Sequence, residues 1–69
     1  MEAYQERVVG EKVQLDEKIA KLREFFGTST FGALPEKERR LMSLQHAAML
    51  DYTVILGQRV TLFETTEKP

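Results

Sequence analysis

The sequence has no cysteine, no tryptophan and one histidine, and only two prolines and four glycines among 69 residues. Without cysteine there is no disulfide, and with one histidine there is no cluster to hold a structural zinc, so two devices that stabilise very small domains are missing. A chain of this length buries only about 60% of the surface its unfolded form exposes. Association with further subunits is the device that remains. Nor is there an excess of one charge: 10 Lys and Arg face 11 Asp and Glu, for a net charge of −1. Sequence-blind binding to a duplex, which needs a basic face, is therefore not expected. A small anionic ligand gripped by two or three arginines remains compatible with that balance. Apolar runs are short, reaching four residues at Ala47 to Leu50. Neither a membrane span nor a secretory leader is expected, and cofactor and metal sites are not expected either. What is present, 42% hydrophobic and 30% charged residues, is the composition of a folded domain.

Punctuation falls in one place. Gly27 to Pro35 holds two of the four glycines and one of the two prolines, and it separates two segments of helical periodicity. Before it, Val8, Leu15 and Leu22 recur every seven residues, joined by Tyr4, Ile19 and Phe26. A first helix is predicted over about residues 3–26, closed by Gly27 in a left-handed conformation. The loop spans 27–34. A second helix then opens at Pro35, runs to about residue 62 and leaves a polar tail over 63–69. On that helix Leu41, Leu44, Ala48, Tyr52, Ile55, Leu56, Leu62 and Phe63 fall on one broad face, widened by Met42, Met49 and Val60. Ala47, Leu50, Val54 and Gly57 lie on the reverse. A helix apolar around so much of its circumference needs more than one neighbour. The expected fold is all-α: a two-helix antiparallel hairpin that assembles into a homo-oligomeric helical bundle as a single domain over 1–69. Pairing about the loop sets Leu22 against Leu41, Ile19 against Leu44, Leu15 against Ala48 and Val8 against Ile55, with Lys12 beside Asp51.

Several polar residues stand in apolar places. Gln45, Tyr52 and Arg59 lie within or beside the broad face of the second helix, and Tyr4, Arg7 and Glu11 fall near them from the first. One reading is structural: Glu11 or Asp51 neutralises Arg59 or Lys12, and Gln45 fixes register. The other is a ligand site at the open end of the hairpin or between protomers. There Arg7 and Arg59 hold phosphate or carboxylate, Tyr4 and Tyr52 stack on a base, and Gln45 or Glu11 reads a polar edge. Catalysis finds no support. His46 sits on the reverse face without a metal-spaced partner, and the Gly27 to Gly32 loop lacks the lysine and spacing of a phosphate-binding loop. The protein is not expected to be an enzyme.

The pattern Tyr4-x-x-Arg7-Val8-x-x-Glu11, Leu15-x-x-x-Ile19-x-x-Leu22-x-x-Phe25 and Leu44-Gln45-x-x-x-Met49-x-x-Tyr52-x-x-Ile55-Leu56-x-x-Arg59 resembles a family of very short tailed-phage proteins related to one from a crAss-like phage. The resemblance covers roughly residues 4–63. It implies a small accessory protein acting in the cytoplasm of an infected bacterial host. In architecture the hairpin is similar to phage anti-CBASS and anti-Thoeris sponges, which hold cyclic oligonucleotide or cyclic ADP-ribose signals between protomers. That likeness implies a counter-defence protein that sequesters a nucleotide-derived signal without catalysis. Two other classes stay open: a protein–protein inhibitor or adaptor of a host defence protein, and a purely structural oligomer.

Overall fold

A computed structural model describes residues 1–66, with side chains as far as Phe63. Among the described residues the protein is all-helical, with α1 over Ala3–Phe26, α2 over Ser29–Ala33 and α3 over Glu36–Thr66. α1 starts where Glu2 turns extended and its N–H donates to Gln5 Oε1 at 2.9 Å. This half of a capping box satisfies an end N–H that the helix itself cannot. It also explains why Gln5 is buried although polar. Glu6 in the first turn and Arg23 in the last complement the helix dipole.

The connector differs from expectation. Gly27 sits at φ −87°, ψ 3°, not in the left-handed region. The reason is that the chain does not reverse there. The Thr28 hydroxyl donates to the Phe25 carbonyl at 2.7 Å and accepts from the Phe31 N–H at 3.2 Å, which ends α1 and caps α2 with one side chain. What reads as a plain loop thus contains a short helix. Pro35 stands just before α3, and its carbonyl accepts from the Arg39 N–H at 3.0 Å. α3 continues past residue 62 to Thr66, so the expected polar tail begins as helix; residues 67–69 lie outside the described part.

α1 and α3 lie side by side in opposite directions. Tyr4 meets Phe63 edge-on at one end (centroids 5.7 Å apart) and Phe26 meets His46 at the other (5.3 Å). The result is a rod of 55 × 15 × 15 Å. Its radius of gyration is 15.9 Å, where a compact domain of this length has about 11 Å. The buried core is Val8, Leu15, Ile19, Leu56 and Phe63, flanked by Met49, Leu50 and Val60. In sequence the inward positions alternate by three and four: Gln5, Val8, Lys12, Leu15, Ile19, Leu22 and Phe26 on α1, and Met42, His46, Met49, Thr53, Leu56, Val60 and Phe63 on α3. That 3.5-residue repeat is the pattern of a coiled-coil seam.

This seam is not the broad face that the sequence suggested. Leu41, Leu44 and Ile55, expected against α1, are 62%, 58% and 52% exposed. The face that packs is rotated toward Met42, Met49 and Val60 and includes His46, which was expected on the reverse. Two causes combine. α2 consumes connector length and Phe26 caps the bundle against His46, which slides α3 along α1 by about a turn. In addition, α3 carries two apolar stripes, and a single best-fit face falls between them. Lys12, expected beside Asp51, lies instead against Gly57 and pairs with Asp16 at 2.8 Å in its own helix, while Asp51 is exposed. No helix among the described residues is long and apolar enough to cross a membrane.

Candidate functional site

The six polar residues singled out in the sequence fall along one edge of the α1–α3 pair. Tyr4, Arg7 and Glu11 are spaced i, i+3, i+7 and so share a face of α1. Gln45, Tyr52 and Arg59 are spaced by seven and form a row on α3. The two rows meet where the Tyr52 hydroxyl donates to the Glu11 carboxylate. Because the helices run in opposite directions, seven residues in each carry both rows about 10.5 Å the same way. The seam fixes the level: Tyr4 meets Phe63 edge-on and so stands about one turn of α3 beyond Arg59, while Arg7 lies one turn nearer Glu11 on α1. Tyr4 and Tyr52 are 49% and 42% exposed, so both rings are half available to a ligand, and Tyr4 rests edge-on against Phe63.

The grouping is not complete within one chain. Gln45 lies on the far side of Tyr52, about 21 Å along α3 from Arg59, and its amide N–H approaches Met49 Sδ at 3.9 Å. A ligand of nucleotide size placed at Tyr4, Arg7 and Arg59 does not reach it. Lys18 was missed. It continues Tyr4–Glu11 by another seven residues and is exposed; that spacing was the available signal. With Lys18 continuing the α1 row and Glu38 the α3 row, the edge carries Arg7, Lys18 and Arg59 against the carboxylates of Glu11 and Glu38, in a chain whose net charge is −1.

The Glu11 carboxylate sets the state of Tyr52. By accepting the phenolic proton in a hydrogen bond it holds that hydroxyl above the usual tyrosine range, and partial burial adds to the effect; the positive charge of Arg59 works in the opposite direction. Tyr52 is thus a neutral donor fixed in place. Among the described residues no group of side chains has the composition and spacing to hold a metal ion, and no enclosed cavity is present. The edge is an open, cationic, tyrosine-bearing strip with no nucleophile–base pair along it.

The fold is that of a small all-helical protein. Residues 2–62 match the Sequestin family, and the chain belongs to that family. The name describes sequestration, a binding role rather than a catalytic one, and leaves the bound target open. No curated protein and no solved structure shows a match to the chain.

Proposed function

We propose that the protein is a phage counter-defence factor that binds a nucleotide-derived immune signal and withholds it from its host effector, without catalysis, in the cytoplasm of an infected bacterium. The signal class is a cyclic oligonucleotide or a cyclic ADP-ribose derivative, the messengers of CBASS and Thoeris defence. The spacing that puts Arg7 and Arg59 on the same edge as Tyr4 and Tyr52, in an otherwise charge-balanced chain, supports this reading. Guanidinium groups offer forked donors to phosphate, and exposed aromatic rings offer a stacking surface for a base. Tyr52 with Glu11 presents a fixed polar pair to a base or ribose edge. The hairpin acts as a homo-oligomer, since an open strip encloses a small molecule only when a second surface covers it. Membership of a family named for sequestration supports the binding role.

Native mass spectrometry of protein purified without dialysis from infected, defence-active cells tests this directly. The expected result is a multimer carrying a ligand of nucleotide mass that is released on heating. Titration calorimetry with purified cyclic dinucleotides, cyclic trinucleotides and cyclic ADP-ribose then identifies the class. Arg7→Ala and Arg59→Ala are each expected to weaken binding by about tenfold or more, the size of a lost charge-assisted contact, while circular dichroism stays unchanged. A multimer with no ligand that binds none of these compounds overturns the proposal. A stable complex with a host defence protein, indifferent to nucleotides, would replace it with the inhibitor reading.

A further inference from the structure

α3 has a second apolar stripe that α1 does not cover. Leu41, Ala48, Ile55 and Leu62 recur every seven residues with Leu44 beside them, and the four large ones are 52–62% exposed. The chain exposes 5394 Å² in all, against about 4,500 Å² for a compact monomer of its 8.0 kDa. The excess, roughly 900 Å², is close to what one partner contributes to a standard interface, about 800 Å².

We propose that this stripe is covered by the same stripe of a second copy, with the two α3 helices antiparallel and the two-fold axis beside Ile55. Charge fixes the direction. A parallel, in-register pair sets Asp51 on Asp51 and Arg59 on Arg59, which is repulsive at both positions. In the antiparallel pair centred on Ile55, residues whose numbers sum to 110 stand opposite each other. Ile55 then meets its counterpart, Ala48 takes Leu62 in a small-against-large fit, and Asp51 faces Arg59 of the second copy, twice by symmetry. Gln58 of one copy faces Tyr52 of the other. The second copy therefore adds Gln58 and Asp51 to the polar edge and closes the strip from its open side. Overlap runs from Leu44 to Thr66, about 34 Å of helix, and leaves Leu41 outside. The seam stands without the sequestering function; only the contribution of Gln58 and Asp51 to a ligand site rests on that reading.

Size-exclusion chromatography with light scattering, over a concentration series, tests the seam on the full chain. The expected mass is twice 8.0 kDa or a higher even multiple. Ile55→Glu reduces it to one chain, and Leu41→Glu leaves it unchanged. Asp51→Arg and Arg59→Asp each weaken association by about tenfold or more, and the double exchange restores it, as a charge pair between copies requires. If Ile55→Glu fails to fold by circular dichroism, the exchange series decides alone. A wild-type mass of one chain or an odd multiple overturns the proposal, as does a double variant no better than either single one. A wild-type dimer that binds no nucleotide keeps the seam and overturns the sequestering function instead.

Discussion

The two stripes of α3 are made of similar residues at the same spacing, yet one is core and the other is surface. Leu56 is wholly buried and Ile55, its neighbour, is half exposed. Local sequence does not separate them, because both are large aliphatic residues in the middle of one helix. What separates them is a single partner helix, α1, which has one apolar seam to offer. A two-helix rod can satisfy one stripe of each helix, so the second stripe of α3 stays in water unless a further surface covers it.

Substituting these adjacent residues gives the largest and sharpest test. Leu56→Ala removes a side chain packed on all sides and is expected to cost about 2–5 kcal/mol. For a core this small that approaches the whole stability of the fold, so thermal denaturation should show little or no cooperative transition. Ile55→Ala is expected to cost well under that in dilute protein, where its side chain is already half in water. At high protein concentration its cost should grow, since binding between folded copies adds to stability by mass action. Equal, concentration-independent losses at the two positions would erase the distinction between the stripes.

The glycines offer an effect of about 1 kcal/mol. A Cβ at Gly10 meets nothing within 4 Å, whereas one at Gly57 comes to 3.3 Å from Lys12 Cε. Gly10→Ala is therefore expected to raise the denaturation midpoint by an amount equivalent to about 0.5–1 kcal/mol, the helix-propensity gain. Gly57→Ala should gain less, because the flexible end of Lys12 must shift aside. If Gly10→Ala lowers stability, something beyond the single chain packs on that back of α1.

Helix existence and the position of the break were legible from periodicity and from Gly27 and Pro35, since these depend on local chemistry. The packing face was not. Leu41, Leu44, Leu56 and Phe63 look alike in a helical projection, and with two stripes roughly a third of a turn apart a single average face lies between them. The short helix at Ser29–Ala33 was hidden because Thr28 does two jobs at once, through its hydroxyl as donor and acceptor. Of the polar edge, the rows on each helix were legible as spacings of seven. Their junction at Glu11 and Tyr52 needed the register that the connector sets, and so did the separation of Gln45 from Arg59.

The smallest expected effects come from two hydroxyl–carboxylate contacts between the helices, and they have opposite signs. Asp16 accepts from Lys12 and from the Thr53 hydroxyl, and these bonds, the lysine first, hold its carboxyl below the ordinary 3.8. A lowered carboxyl contributes stability above pH 3.8 and loses it as pH falls through the lowered value. Tyr52 is the reverse case, held above 10.0 by Glu11. Its contribution is present below pH 10.0 and disappears as pH rises through the raised value. Both groups lie at the surface, so the changes in stability are slight and site-resolved titration is the better readout. By NMR, Asp16 should titrate below 3.8 in the wild type and move back up in Lys12→Ala. Tyr52 should titrate above 10.0 and fall in Glu11→Gln. The pairing of the two measurements matters because Glu11 belongs to the proposed ligand edge and Asp16 does not. Addition of a phosphate-bearing ligand that engages Arg59 withdraws the positive charge that favours the phenolate, so it should raise Tyr52 further and leave Asp16 where it was. Movement of both together would mean that the helices shift as a unit, and the edge would then have no electrostatic identity separate from the seam.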